Sequence, residues 1–354
     1  MSHLTQKEYD LLTMLLNTES PSSAEEEISQ FIKDNNKGVP VFEKDAIGNS
    51  YLFLKSGNKP TVMIAAHCDE IGLQVVYISD DGYVRFRPVG GIDVKAIVGQ
   101  SIHILAKGKK IPGVICKAPI HLDILEKKER PIEISDLWID IGCSSYEETK
   151  SLISIGDMVC FAPNYTALSG KRLSSKALDN KLGVFIAMCA IKRLSESVSQ
   201  YNTTAAFTVQ EEVGGKGAIV AAQHINPQWG ICIDAGVASD CPGIQVDKYG
   251  CLKLGMGPGL QYSTDTSRLL IDQATKVLED CDIPYQKTVG LSATGGTDTW
   301  RMQVSGNGVP CILLSIPIRS MHTPCEICDL DDVSAAIEAV VAIVTKIHDP
   351  FLYD

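Results

Sequence analysis

Six residues at five places in this sequence carry acidic or histidine side chains where a strand should end or its loop begin. They are His67, Asp179, the pair Glu211 and Glu212, Asp234 and His322. Imidazole and carboxylate groups together bind zinc, cobalt or manganese in hydrolytic sites, where two ions about 3.5–4 Å apart share a carboxylate and a water. These residue types therefore predict a two-metal hydrolytic centre if the fold brings them together.

Each of these residues also has an ordinary structural explanation. A lone histidine at a strand end, such as His67, is more often a hydrogen-bonded structural residue than a ligand. Asp179 could simply cap the helix that follows it. Asp69 strengthens the metal hypothesis. It lies two residues after His67, so in an extended chain both side chains can lie on the same side and the carboxylate can orient the imidazole. Histidine ligands usually need such a partner. Asp234 could merely end a strand, and His322 could be an ordinary loop histidine.

Glu211 and Glu212 follow a predicted strand and precede a glycine-rich turn, residues 213–217. Paired acids in a loop are often only solvated. Successive side chains point in different directions, however, so one glutamate can bind a metal while its neighbour reaches the metal-bound water. The pair therefore indicates a ligand and a general base at adjacent positions.

The segments around these residues alternate between strands and helices. An apolar run without polar alternation, residues 61–66, predicts a strand buried on both faces, and further strands are predicted at 203–209, 230–233 and 311–316. Helices are predicted at residues 5–17, 24–34, 182–194, 217–223, 267–279 and 332–348. This order predicts an α/β fold with a mostly parallel sheet flanked by helices, in which ligands bind outside the carboxyl ends of the strands.

A different pattern lies between residues 71 and 164, where short alternating stretches are separated by Gly, Asp and Lys turns. This pattern predicts a small β-rich domain inserted into the α/β part. Residues 1–70 and 165–354 would then form one large domain, and residues 71–164 the inserted one.

Composition excludes several classes of function. The chain has 32 Lys+Arg against 43 Asp+Glu, a formal net charge of -11, whereas nucleic-acid-binding proteins usually present a basic surface. The sequence contains no uninterrupted run of 18 apolar residues, so no membrane-spanning helix is predicted. The amino-terminal segment lacks the apolar core of a signal peptide. The twelve cysteines are scattered through apolar stretches, which favours reduced thiols and a cytoplasmic location.

Taken together, the motifs resemble those of one known family. They are HCDEIG at residues 67–72, ALDNK at 177–181, QEEVG at 210–214, Asp234 and MHTP at 321–324, together with the GGTD turn at 295–298 and IGD at 155–157. Their order and spacing are similar to those of the tetrahedral dodecameric metalloaminopeptidases, which include glutamyl and leucyl aminopeptidases and proteins once labelled cellulases. The resemblance extends over nearly the whole chain.

The resemblance implies a role for each residue. His67 and Asp234 would bind one ion, Glu212 and His322 the other, and Asp179 would bridge the two. Glu211 would be the general base that takes a proton from the water between the ions, and Asp69 would hold His67. It further implies two divalent ions per subunit, zinc or cobalt and also manganese, an inserted PDZ-like β-barrel, peptide substrates, and a homo-oligomer of twelve subunits.

Two sequence features and two other functions remain as alternatives. Trp300 stands where the family commonly has small residues, so the preferred N-terminal residue is not determined. Cys325 and Cys328 form a CxxC pair near His322, which could be a separate zinc site. A carboxypeptidase or deacylase could use the same scaffold, because fold and metals alone do not determine the substrate. A non-enzymatic metal-binding assembly protein is disfavoured, since Glu211 is not needed for metal binding.

Overall fold

The computed structural model describes residues 4–36, 38, 41–55, 57–125, 131–290, 296–348 and 350–351. The helices are α1 (Gln6–Leu16), α2 (Glu26–Asn35), α3 (Ile120–Leu125), α4 (Tyr146–Leu152), α5 (Leu178–Ser195), α6 (Lys216–Ile225), α7 (Val246–Tyr249), α8 (Arg268–Asp280), α9 (Asp298–Gln303) and α10 (Leu330–Lys346), with a 3₁₀ turn at Ile134–Asp136. The strands are β1 (Phe42–Lys44), β2 (Ser50–Leu54), β3 (Thr61–His67), β4 (Gly72–Ile78), β5 (Val84–Val89), β6 (Ser101–Ala106), β7 (Lys109–Cys116), β8 (Trp138–Asp140), β9 (Met158–Phe161), β10 (Thr166–Ala167), β11 (Arg172–Ser175), β12 (Asn202–Thr208), β13 (Trp229–Val237), β14 (Gly259–Tyr262), β15 (Gln286–Val289), β16 (Cys311–Ile318) and β17 (Glu326–Asp329).

The main sheet has eight strands in the order β1-β2-β12-β3-β13-β16-β14-β15. Its four central strands, β12, β3, β13 and β16, are parallel to one another, while β2 pairs with β12 and β14 with β16 in antiparallel fashion. The sheet is therefore mixed, with the predicted parallel arrangement at its centre. The carboxyl ends of the four central strands lie at one edge, next to one another.

Helices cover both faces of this sheet. Alternate residues of β3 show the two faces: Val62 and Ile64 pack in a core with α1, α5, α8 and α10, whereas Met63 and Ala65 pack in a second core with α6 and α9. Because side chains alternate along a strand, burial on both faces requires an apolar residue at nearly every position. This requirement explains the unbroken apolar runs in the sequence, and the predicted α/β fold is confirmed.

A closed six-stranded barrel, in the order β4-β5-β8-β7-β6-β9, interrupts this fold between β3 and β10. Its strand pairs are antiparallel, and its inward side chains form a core of their own that includes Val75, Phe86, Ile104 and Ile139. The predicted inserted barrel is thus confirmed, while its limits at residues 71 and 164 stay a prediction. A third, small sheet pairs β10, β11 and β17.

All twelve cysteines are free thiols in this structure. Among the described residues, no helix has both the length and the apolar composition that a bilayer crossing requires.

A buried ionic cluster lies where β3 leads into the barrel. The Glu70 carboxylate is 2.6 Å from Lys176 Nζ and 2.8 Å from Lys181 Nζ, and all three side chains are at most 2% exposed. Both ammonium groups also donate to the main-chain oxygen of Thr18. Burial alone would raise the pKa of the Glu70 carboxyl, but the two lysines outweigh it and lower this pKa to about 2. The cluster ties the amino-terminal segment, the barrel entry and the start of α5 to one another.

Replacement of Glu70 should therefore destabilise the fold strongly. Glu70→Gln leaves two ammonium groups buried without a counter-charge, and we expect the free energy of unfolding to fall by about 3–5 kcal/mol. The measurement is urea unfolding followed by circular dichroism. The control is Asp331→Ala, which removes the 2.8 Å ion pair with the half-exposed Lys171 and should cost less than about 1 kcal/mol. Equal losses in the two variants would contradict the assigned role of the cluster.

Candidate metal centre

The structure places all the acidic and histidine residues singled out in the sequence at one edge of the main sheet. His67 is the last residue of β3, and Glu211 and Glu212 follow β12. Asp234 lies within β13, which continues to Val237, three residues beyond the strand end expected at this aspartate. His322 follows β16, and Asp179 lies in the first turn of α5. Neighbouring parallel strands thus position side chains that are distant in sequence.

Two groups of side chains have the geometry to hold a metal ion. In the first, ligand atoms of His67, Asp179 and Asp234 all lie within 4.8 Å of one another. His67 Nε2 is 3.1 Å from Asp179 Oδ1 and 3.4 Å from Asp234 Oδ1. All three residues are buried.

The second group consists of Asp179, Glu212 and His322, whose ligand atoms also lie within 4.8 Å of one another. His322 Nε2 is 3.5 Å from Asp179 Oδ2 and 3.6 Å from Glu212 Oε2. Asp179 belongs to both groups and directs one carboxylate oxygen to each histidine. A carboxylate in this position could contact a cation in either group.

Asp179 is held in an irregular backbone. Ala177 has a left-handed conformation with φ 54°, Asp179 is non-helical with φ -79° and ψ 100°, and the bond between Asp179 and Asn180 is cis. The helix has no side-chain cap, so the simple capping explanation for Asp179 does not apply. Asn180 Nδ2 donates to the main-chain oxygen of Ile233, which fastens this turn to the strand that carries Asp234.

Glu211 belongs to neither group but faces the same space, with Oε2 4.0 Å from His67 Nε2. Its loop is held by Asp69, whose carboxylate accepts hydrogen bonds from the N–H groups of Glu211 and Glu212 at 3.0 and 3.2 Å and from the hydroxyl of Ser22 at 2.6 Å. Adjacent glutamates are thereby directed to different positions.

Asp69 also contacts His67 through its main chain. His67 Nδ1 lies 3.0 Å from the Asp69 carbonyl oxygen and 3.4 Å from the carboxylate Oδ1. With the Nδ1 proton donated to this carbonyl, Nε2 keeps its lone pair for the first group. The side chain of Asp69 mainly holds the Glu211–Glu212 loop.

The ionisable groups of the site have shifted pKa values that fit a site able to bind cations. Burial and the nearby Asp179 carboxylate raise the pKa of Glu212 well above its usual range, and burial also raises the pKa of Asp234. His322, hydrogen-bonded to Asp179, has a raised pKa as well. Crowded carboxylates of this kind are relieved by a bound divalent ion, and the mixed imidazole and carboxylate donor set suits zinc, cobalt or manganese.

The site opens into a cavity of about 350 Å³. The cavity is lined by His67, Gly91, Asp179, Glu211, Glu212, Gly214, Asp234, Ala235, Gly296, Thr297, Trp300, Met321 and His322. Gly91 comes from the segment after β5 of the barrel, and a Cβ atom added there would lie 3.1 Å from His322 Nδ1. Gly295, part of the turn noted in the sequence, lies outside the described residues.

Sequence reasoning missed the buried Glu326, which is only 2% exposed. Its Oε1 accepts from the N–H of His322 at 2.9 Å and its Oε2 from the N–H of Asp179 at 3.0 Å. The available signal was an acid four residues after a candidate ligand, but the flanking Cys325 and Cys328 directed attention to a thiolate site. Among the described residues, neither cysteine belongs to a group that could hold a metal: Cys328 is buried and Cys325 exposed.

Comparison with known proteins gives a consistent result. A family model for the M42 glutamyl aminopeptidase matches residues 48–338. A putative aminopeptidase of Acetivibrio thermocellus is 33% identical over 341 residues, which is 95% of this chain and 98% of that protein. The lysyl aminopeptidase of Pyrococcus furiosus is 34% identical over 307 residues, 86% of each chain.

Solved structures show the same relationship. That of the Pyrococcus horikoshii TET1 peptidase has a TM-score of 0.87 at 33% identity, with 96% of this chain and 100% of that chain covered. The family resemblance found in the sequence motifs is therefore confirmed. The chain belongs to the M42 glutamyl aminopeptidase family of metal-dependent peptide hydrolases.

Proposed function

We propose that this enzyme removes N-terminal residues from peptides with two divalent ions and Glu211 as the general base. The observation that supports this most directly is the pair of donor groups sharing Asp179, with an additional carboxylate beside them in one cavity. His67 and Asp234 would hold one ion, Glu212 and His322 the other. Bound ions of this kind lower the pKa of a water and polarise the scissile carbonyl.

The chain's own contribution to the reaction is positioning and proton transfer. The Glu211 carboxylate is free to accept a proton at Oε2 because neither donor group uses it. Burial raises its pKa well above the usual range, with a further contribution from Asp234, and a poorly solvated carboxylate is a stronger base. The same carboxyl can then release the proton to the departing amine.

The charge of the cavity favours an N-terminal substrate over the carboxypeptidase alternative. A carboxypeptidase binds the substrate's terminal carboxylate with a cationic side chain. Among the described residues that line the cavity, none is Lys or Arg, whereas four carry carboxylates. Among the described lining residues, the cavity therefore offers no lysine or arginine cation to a substrate's terminal carboxylate. A protein that only bound metal would not require Glu211, because this residue belongs to neither donor group.

Substitution of Glu211 tests the assignment. Glu211→Gln keeps the shape of the side chain but removes the base, so we expect kcat on aminoacyl p-nitroanilides to fall by about 10²–10⁴-fold with both ions retained. Kinetics and metal analysis by mass spectrometry provide the two measurements.

Glu212→Gln is the matched control, because the same change at the adjacent residue removes a ligand. This variant should lose metal as well as activity. Wild-type activity in Glu211→Gln, or loss of both ions from it, would refute the role of Glu211. Activity on blocked peptides or at carboxyl termini, without activity on free amino termini, would favour the alternative hydrolase.

The cavity walls beyond the metal donors indicate an uncharged first residue in the substrate. They consist of Trp300, Met321, Thr297, Ala235 and glycine backbone. Arg301, which follows Trp300, has its guanidinium carbon 3.6 Å from the Trp300 ring centroid and donates to the Gly214 oxygen at 2.9 Å. We therefore propose that side chains such as leucine and methionine are preferred over glutamate.

Trp300→Ala should change this preference. Loss of the indole removes part of the apolar wall and enlarges the pocket, so kcat/KM for phenylalanine relative to leucine substrates should rise about tenfold, the lower end of the range expected for a size difference of one methylene. Met256→Ala, at an exposed side chain outside the cavity lining, serves as the control and should leave the ratio unchanged. A wild-type enzyme that prefers glutamyl substrates would contradict the proposed pocket.

We also propose a homo-oligomer of twelve subunits that works in the cytoplasm, where its free thiols stay reduced, with residues 71–164 as the inserted domain. The support comes from the similar TET1 peptidase, whose structure is described as assembling into a tetrahedron or a large octahedral shell. We expect light scattering at micromolar concentration to give about twelve times the subunit mass of 38.3 kDa. A monomer by this measurement would exclude the assembly.

A further inference from the structure

We infer that Glu326 is a positioning residue that sets the spacing between the shared ligand Asp179 and the second-site ligand His322. Glu326 is not a donor in either metal group. The inference rests on the proposed two-metal function, because it concerns how the ligands of that site are held.

The contacts of Glu326 connect two loops that are far apart in the sequence. One carboxylate oxygen, Oε2, accepts the N–H of Asp179 at 3.0 Å, and the other, Oε1, accepts the N–H of His322 at 2.9 Å. A carboxylate is a rigid group with two acceptor atoms, so it fixes both N–H groups relative to one another. The side chain is 2% exposed, and water cannot readily replace it as the acceptor.

Neither ligand has a regular backbone that would hold it without this side chain. His322 has a left-handed conformation with φ 61°, and Asp179 departs from helical geometry inside the first turn of α5. Their N–H groups therefore take part in no helix or strand pattern, and the N–H of Asp179, which is buried, needs an acceptor. Glu326 supplies that acceptor at both positions.

The strand that carries Glu326 is itself firmly anchored. Within β17, Glu326 pairs with Ser175 of β11, four residues before Asp179. Ile327 exchanges two main-chain hydrogen bonds, of 2.9 and 3.1 Å, with Arg319 in the segment leading to His322. The carboxylate thus extends from a strand that is linked by main-chain bonds to both ligand loops. Side chains that hydrogen-bond to metal ligands without binding the metal commonly contribute about 10–100-fold to metal affinity.

Glu326→Gln is the informative change. The amide keeps the size of the side chain but has one acceptor oxygen, and its NH₂ group faces a second N–H that it cannot accept from. One of the two bonds is lost, and the ligand spacing should relax. We expect affinity for the second ion, measured by calorimetric titration of the metal-free protein with zinc, to fall about 10–100-fold.

A matched control separates positioning from general stability. Asp332 is also a fully buried carboxylate that accepts two main-chain N–H groups, those of Gly255 and Gly257 at 2.8 and 2.7 Å, but it lies outside both metal groups. Asp332→Asn removes an equivalent bond from the fold. It should lower thermal stability about as much as Glu326→Gln while leaving the zinc titration unchanged.

The visible spectrum of the cobalt-substituted protein gives a second measurement, since it reports coordination geometry and not activity. Glu326→Gln should alter this spectrum, and Asp332→Asn should not. Should Glu326→Gln fail to fold, Glu326→Asp retains the charge but shortens the side chain by one methylene, so it reaches only one N–H and should also weaken the second site.

Two results would overturn the inference: a zinc titration of the folded Glu326 variant that matches the wild type, or equal losses of affinity in the Glu326 and Asp332 variants. A wild-type protein that binds fewer than two ions would instead refute the two-metal function. The two failures are therefore distinguishable.

Discussion

The crowding of carboxylates at one end of the main sheet is the constraint on which the rest of this structure depends. In each of the two groups that share Asp179, the ligand atoms lie within 4.8 Å of one another, with His67, Asp179 and Asp234 buried and Glu212 and His322 half-buried. Acidic groups so close together repel one another unless protons or cations neutralise them. Their arrangement has to be imposed by the scaffold, and four parallel strands with covered faces provide it by ending side by side.

A second set of buried acids holds the backbone that carries the first. Asp69 fixes the loop of Glu211 and Glu212, and Glu326 fixes Asp179 and His322. In both cases a carboxylate accepts main-chain N–H groups at places where neither helix nor sheet would satisfy them. The protein thus uses one chemical group for two purposes: some acids belong to the groups that could hold a metal ion, and others accept the main-chain N–H groups around them.

The sequence predicted the parts of the molecule that follow a repeating pattern. Strand β3 was predictable because burial on both faces produces a continuous apolar run, and His67 stood out as a candidate ligand because it ends that run. The four-residue strands β14 and β15 were not predicted, since segments this short carry too little periodicity. Glu326 was missed because the burial of an acid depends on loops distant in sequence, and composition does not show it.

Gly91, which follows strand β5 of the barrel, lies close to the imidazole of His322 and lines the cavity of the candidate site. The chain enters the barrel directly after the strand that ends in His67 and leaves it shortly before the segment that leads to Asp179. Excision of the barrel would remove Gly91 from the cavity lining, so protein engineers must treat both units as a single enzyme.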